Sequence, residues 1–391
     1  MIRIKQCKWP IDGGEPNIAL MAAKALKVPR EELQRVTIRK RSIDARKNKE
    51  IQYVYELDVE IRKEGRILKK CKNGNVTKVD VRPYRFPGQC NGVSTRPVVI
   101  GMGPAGLFCA YELAIHGFCP ILIERGEPVE DRTRTVEHFW KTGELDVESN
   151  VQFGEGGAGA FSDGKLTTLI KDVEGRGREV LQTFVNFGAD PEILYVNKPH
   201  IGTDVLKTVI SHMRKAILAA GGEILFRTKV VDFVIEDENT EKRLKQLVLL
   251  DQKMQKTRML SVDYVVLAIG HSARDTFEVL HKAEVPMEAK AFAVGVRMQH
   301  PQTFINENQY GAAAAHLPAA DYKITAKAQD GRGVYSFCMC PGGFVVDASS
   351  EPGRLAVNGM SYHARDGVNA NSAIIVSVTP EDYPGEGPLA G

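Results

Sequence analysis

PVVIGMGPAGLFCAYELAIHGFCPILIE (residues 97–124) reads as strand, turn, helix and strand with no residue to spare. PVVI (97–100) is a short buried strand, GMGPAG (101–106) a glycine turn, and LFCAYELAIH (107–116) a helix that Gly117 ends. PILIE (120–124) is then a second, parallel strand. Gly101, Gly103 and Gly106 have the spacing of a dinucleotide turn, with Pro104 and Ala105 inside it. In such a turn the first glycine allows the sharp exit from the strand. The second lets the backbone approach a pyrophosphate, and the third lets helix and strand pack closely. The helix start then offers unpaired N–H groups to the anion. Glu124, followed by Arg125, ends the second strand 18 residues beyond Gly106. A carboxylate at that place binds a ribose hydroxyl, which favours the unphosphorylated adenosine of NAD or FAD over NADP.

Working outward, VQFGEGGAGAFSDGKLTT (151–168) holds two colliding patterns. Gly154, Gly156 and Gly159 repeat the dinucleotide spacing, while Gly159, Gly164 and Lys165 begin a phosphate-binding P-loop. The P-loop reading fails because Leu166 stands where Ser or Thr must hold magnesium, and no buried strand leads in. A second dinucleotide turn fails too, since AFSDGKL does not start a helix. Beyond it, Val180–Val185 and Val205–Ile217 carry helical apolar faces, and strands are expected at 224–235, 243–251 and 257–269. An NAD dehydrogenase would continue with more alternating strands and helices. This order instead passes through a glycine-rich stretch, a helix and a strand meander to VVLAIG (265–270).

From Val98 to Gly270 that order resembles the glutathione-reductase-type FAD fold. The resemblance implies an adenine contact near Val230 and a second glycine signature ending at Gly270. It also makes the 151–168 stretch a flavin loop. Gly156 and Gly157 would let the backbone approach the cofactor, and Ser162 or Lys165 would donate to the flavin edge. FGEGGAGAFSDGKL, KPHIGTD, AIGHSARDT, VYSFCMCPGGFVV and NGMSYHARDGVNANSA together resemble a family of bacterial FAD-dependent dehydrogenases with a small module before the flavin domain. It implies FAD and a redox role but no substrate. Such folds close on a Gly-Asp pair near the C-terminus. None follows Gly270 here, so the sequence reads as shortened relative to the family, and as either a weak binder of FAD or a marginally stable chain.

The expected fold class is therefore α/β: a Rossmann-like FAD-binding domain of the glutathione-reductase type, an inserted β-rich substrate domain, and a small N-terminal α+β module. The boundaries read 1–90 for the module, 91–285 for the first part of the FAD domain, 286–357 for the β-rich domain and 358–391 for an incomplete return to the FAD domain. RFPGQCNGVSTRP (85–97) reads as a linker. Residues 1–90 hold 22 basic and 11 acidic side chains, a net +11; the other 301 residues hold 30 and 38, a net −8. The basic module raises nucleic acid as a partner, through Arg39, Lys40, Arg41, Arg46, Lys47, Lys49, Lys69, Lys70 and Lys72, with Tyr53, Tyr55, Tyr84 and Phe86 as stacking partners. A solvated basic face is the default reading.

Seven cysteines without a C-x-x-C pair argue against a disulfide framework and for a reducing, cytoplasmic setting. No signal peptide, membrane span, zinc or haem spacing is read. Candidate catalytic groups are Lys165, Cys338, Cys340 and Arg297, with His200, His271, His363 and Arg274 behind them. By the strand period of two, Cys338 and Cys340 are expected on one face. The function expected is two-electron or hydride transfer through FAD on a small-molecule substrate. NADH or NADPH would meet the flavin transiently, because a second dinucleotide turn is missing. A flavin-dependent RNA-interacting or tRNA-modifying protein is the alternative, and a non-catalytic fragment a third.

Overall fold

The computed structural model describes the chain except residues 47, 48, 72, 89, 91–94, 239 and 240, so Lys47, Lys72 and much of the expected linker lie outside the described residues. Two compact units form. One gathers residues 1–85, 165–201 and 303–320, the other 86–164, 202–302 and 321–391.

The first unit opens with β1 (Ile2–Pro10), α1 (Ile18–Leu26), β2 (Leu33–Asp44), β3 (Gln52–Ile61), α2 (Glu64–Lys70) and β4 (Val76–Lys78). The sheet is antiparallel in the order β2-β3-β1-β4. Alternate residues Ile2 and Ile4 of β1, and Tyr55, Leu57, Val59 and Ile61 of β3, share a core with Ala22 and Leu26 of α1. Asn17 starts α1 by accepting the Leu20 N–H at 3.0 Å, and Lys27 ends it in the left-handed region at φ 56°. The module is not residues 1–90 alone, because the open edge of β2 recruits a later segment. Arg41 N–H donates to Tyr195 O at 2.6 Å, and Asn197 N–H donates to Arg41 O at 2.8 Å. The Arg41 guanidinium also grips Glu192 through both oxygens at 3.0 and 2.7 Å.

The second unit begins with β5 (Val98–Ile100), α3 (Pro104–Ile115), β6 (Ile121–Ile123) and α4 (Val129–Thr142). After α5 (Arg176–Asn186), which belongs to the first unit, come α6 (Thr203–Ala219), β7 (Glu223–Leu225), β8 (Thr228–Glu238), β9 (Glu241–Asp251), β10 (Lys256–Ser261), β11 (Val265–Leu267) and α7 (Arg274–Lys282). Four short strands make a parallel sheet in the order β11-β5-β6-β7, and β8, β9 and β10 make an antiparallel meander. One core joins them: Val98, Ile100 and Ile123 pack with Val230, Phe233, Leu247 and Leu249. This is the doubly built α/β fold that the 97–124 stretch and the meander pointed to.

The chain closes with β12 (Phe292–Pro301), α8 (Gln302–Tyr310), β13 (Thr325–Lys327), β14 (Gly333–Cys340), β15 (Gly343–Asp347), β16 (Val357–Ser361) and β17 (Asn369–Val378). The sheet order is β12-β17-β14-β13, beside a β15-β16 hairpin. Residues 321–391 fall in the same unit as the parallel sheet, without adding a strand to it. β17 pairs with β12 along all ten of its residues and with β14 along part of its length. Among the described residues no helix is long and apolar enough to cross a membrane.

Candidate functional site

The parallel strands deliver their C-terminal ends to a cavity of about 600 Å³. At the end of β5, Gly101 has φ +96°, and a Cβ on it would lie 2.5 Å from Ala268 O. Gly106 is tighter still, with a Cβ only 1.8 Å from Gly101 O. Gly103 differs: its nearest neighbour is Gly157 Cα at 3.9 Å, and it lines the cavity with Gly101, Pro104 and Ala105. Gly106 does not line it and serves the packing of α3. Pro104 occupies the first turn of α3, no side chain caps that end, and no acid lies in the first turn. Its first N–H groups therefore have no intrahelical acceptor.

Glu124 lines the cavity yet is only 4% exposed. One oxygen accepts Met102 N–H at 2.7 Å; the other accepts Gly126 N–H at 2.8 Å and Gly154 N–H at 3.0 Å. A carboxylate has about four acceptor positions, so roughly one remains for a hydroxyl. The acid read as a ribose ligand thus also fastens two glycine turns together. Gly156 N–H adds a 2.8 Å bond to Met102 O, and a Cβ on Gly157 would lie 2.9 Å from Gly103 Cα. Gly154, Gly157, Ala158 and Gly159 line the cavity. Gly156 does not, since it packs beneath Ile210, whose Cδ1 would meet a Cβ at 2.4 Å.

Arg125 lines the rim, but its donors are occupied: Nε to Glu148 at 2.6 Å, and both Nη atoms to Asp275 at 3.0 and 2.9 Å. It lies 4.1 Å from the Phe153 ring centroid. Lys229 reaches Glu148 at 3.0 Å and Asp275 at 2.5 Å. Burial would raise the Asp275 carboxyl, but hydrogen bonds from Arg125 and Lys229 outweigh it and hold the group well below the usual carboxylate range. Val230 and Gly270 line the cavity, as does His271.

The second glycine loop is organised by a side chain that sequence reading missed. Arg132 is wholly buried and donates to Asn150 O at 2.9 Å, Glu155 O at 2.6 Å and Val151 O at 3.0 Å. Desolvation lowers its pKa to about 10. Beside it, burial pushes the Glu155 carboxyl up to about 7 against the bonds from Val129 N–H and Arg214. Arg132 sits in VEDRTRTVEHFWKT, whose charged face concealed that this helix is amphipathic and that its fourth residue points inward.

Several expected site residues are not gathered at the cavity. Neither Ser162 nor Lys165 is among the described residues that line it. Ser162 Oγ donates to Gly159 O at 2.8 Å and accepts Gly164 N–H at 3.1 Å, closing the turn on itself. Lys165 is drawn off by backbone pairing with His200 in the first unit. Arg297, Cys338 and Cys340 lie on the β12-β17-β14 sheet, and Cys340 is wholly buried. The expected common face of the two cysteines fails because β14 slips register between Phe337 and Cys340, with Cys338 at φ +47°. Arg274 pairs with Glu351 at 2.8 Å, and the His363 N–H donates to Asp204 at 2.9 Å. Two expected stacking partners are used internally: Tyr55 is 3% exposed, and Phe86 stacks on His116 at 3.9 Å. Among the described residues no group of three or more His, Cys, Asp and Glu is placed to hold a metal ion.

Over 394 residues the chain is 47% identical to an uncharacterized protein of Clostridium beijerinckii, covering 100% of this chain and 72% of that protein. The chain belongs to the family of that protein. Residues 291–391 match the family described as FAD-dependent protein, C-terminal domain-like, and residues 1–60 match a domain of unknown function, DUF8436. The first match spans β12 to β17. Among solved structures, THI4 of Thermovibrio ammonificans is similar at 19% identity and a TM-score of 0.35, over 50% of this chain and 66% of that one. The FAD-complexed glycerol-3-phosphate dehydrogenase of Bacillus halodurans is similar at 13% identity and a TM-score of 0.35, over 77% and 50%. A flavoprotein/dehydrogenase of Cytophaga hutchinsonii is similar at 12% identity and a TM-score of 0.34, over 74% and 58%. The chain thus spans between half and two-thirds of the length of these three structures, and scores this low fix nothing by themselves.

Proposed function

We propose that this chain is an FAD-dependent oxidoreductase and that the cavity at the ends of the parallel strands takes the ADP half of FAD. The observation that carries this reading is the pairing of two glycine turns through one buried carboxylate, Glu124. The uncapped start of α3 offers unpaired N–H groups to a pyrophosphate, and Gly103 leaves the space that such a group needs. The remaining acceptor position of Glu124 takes a ribose hydroxyl. Arg125 and Lys229 are both neutralised by Glu148 and Asp275, so neither is left to attract a 2′-phosphate. This favours an unphosphorylated adenosine. Bound FAD supplies a two-electron acceptor for a small-molecule substrate.

The residues of the chain hold, orient and exclude water. Val230 and Phe153, backed by Arg125, would give the adenine end apolar walls, and the 154–159 turn would hold the part of the cofactor toward the flavin. The test is the visible spectrum of the chain after loading with FAD and desalting, followed by anaerobic NADH and NADPH. Retained flavin supports the reading, and bleaching by one nucleotide names the donor. Loss of all flavin from wild-type chain that is folded by circular dichroism overturns it.

A further inference from the structure

Of the seven cysteines, Cys90 is the exposed one; the others are half-buried or buried. The turn between α3 and β6 holds the chain on both sides of it. Phe86 stacks on His116 at 3.9 Å between ring centroids and lies 6.0 Å from the Phe118 ring. A Cβ on Gly88 would stand 3.6 Å from that ring. Beyond Cys90, Arg96 Nε donates to Cys119 O at 2.7 Å. Cys90 is thus brought to residues 116–119, where a second cysteine stands.

The two thiols share one acceptor. Cys90 Sγ donates to Gly117 O at 3.2 Å, and Cys119 Sγ donates to the same oxygen at 3.7 Å. Two sulfurs on one oxygen at these distances are no more than about 7 Å apart, a gap that turning χ1 of both side chains closes. A thiol is a weak donor, so these contacts hold neither sulfur firmly. Gly221 sets no side chain against Cys119, where even a Cβ would stand 3.1 Å from the sulfur. Elsewhere burial pushes the Cys7 thiol up to about 11 and raises that of Cys109, which keeps both unreactive. An exposed thiol with a second thiol beside it is the arrangement in which oxidation ends at a reversible disulfide.

We propose that Cys90 and Cys119 form one reversible disulfide by exchange with a low-molecular-weight disulfide such as glutathione disulfide. The Cys90 thiolate attacks one glutathione sulfur, a Cys90–glutathione bond forms, the glutathione S–S bond breaks, and one glutathione thiol leaves. The Cys119 thiolate then attacks Cys90 Sγ and expels the second glutathione thiol. Two protein thiols lose two electrons and two protons, and both pairs end on the two glutathione thiols. The ring so closed contains β5, the Gly101–Gly106 turn and α3, so oxidation staples that segment at both ends. In a reducing setting the bond is transient. The pair stands on its own residues and does not rest on the dinucleotide cavity holding FAD.

The experiment treats the folded full chain with excess glutathione disulfide at pH 8, blocks remaining thiols with N-ethylmaleimide and maps the peptides by mass spectrometry. In wild type most Cys90 is joined to Cys119, and dithiothreitol releases it. Cys119→Ser keeps the exposed thiol and lacks its partner, so it carries glutathione on Cys90 at ~10-fold the wild-type level or more. The joined chain melts at least ~2 °C above the reduced chain. If Cys119→Ser does not fold, the wild-type peptide map decides the matter. Glutathione retained on Cys90 of folded wild type, Cys90 left free for N-ethylmaleimide, Cys90 joined to another cysteine, or a joined chain that melts no higher overturns the proposal.

Discussion

The turn at Gly101–Gly106 and the turn at Gly154–Gly159 carry the same glycine spacing and do different work. In the first, β5 leads in, α3 leads out, and Gly101 and Gly106 are pressed against backbone. In the second no strand leads in and a short 3₁₀ turn, Gly157–Phe161, leads out. There Gly154 and Gly156 are pressed against side chains: a Cβ on Gly154 would lie 2.4 Å from Arg132 Cδ, and one on Gly156 the same distance from Ile210 Cδ1. A glycine spacing therefore reports close approach without saying what approaches. In each turn one glycine has room beside it at the cavity, Gly103 with nothing nearer than 3.9 Å and Gly159 with nothing nearer than 3.6 Å.

That contrast can be broken most severely at Gly106. Gly106→Val puts a branched side chain where even a Cβ meets Gly101 O at 1.8 Å, and the second unit is expected to lose cooperative unfolding, read by circular dichroism. Arg132→Met comes next. It strands carbonyls of residues 150, 151 and 155 and removes the buried positive charge that Glu124 and Glu155 both feel. A loss of ~3–5 kcal/mol in urea unfolding is expected, and a loss under ~1 kcal/mol would show that the second turn holds its shape unaided.

Glu155 sharpens the comparison through pH. Its folded pKa of about 7 lies above the ordinary 4.5, so the folded state keeps a proton that the unfolded state has released. Stability from this group is full below about 4.5 and is lost as pH rises through 7. Relative to Glu155→Gln, wild type should weaken by roughly 2–3 kcal/mol between pH 5 and 8, measured as paired unfolding curves. A constant difference across that range would remove Glu155 as the titrating group. The mildest change to the fold is Gly103→Ala. Its φ of −69° suits any residue and its side is open, so stability should move by less than ~1 kcal/mol. FAD retention after desalting should nonetheless fall by ~10-fold, since the added methyl occupies the space kept for the pyrophosphate.

The first turn was legible because all its determinants are local: strand, glycines, helix and acid lie within 28 residues, from Pro97 to Glu124. The helix at Thr203–Ala219 was legible for the same reason, its apolar face repeating at the helical period. Arg132 was not, because a buried arginine is defined by carbonyls 18 to 23 positions away. The extra roles of Glu124 depend on Gly154, 30 positions on. The cysteine pair misled because a period of two assumes a regular pleat, and β14 breaks it. Arg297 was noticed as a cation, but its bond to Asn371 depends on which residues β17 brings beside it.

The make-up of the first unit has a consequence for how the chain comes off the ribosome. Its sheet is encoded by the first 78 residues, yet the unit is completed only by segments that end at residue 320. At ~5–20 residues per second, the 235 positions between residues 85 and 320 take roughly 12–50 s to synthesise. Through the first part of that interval the edge of β2 waits for Tyr195–Asn197, while the dinucleotide turn is being made. The nascent protein must therefore keep a basic, open-edged sheet from pairing with neighbours on the same messenger. The charge on residues 1–90 holds such copies apart.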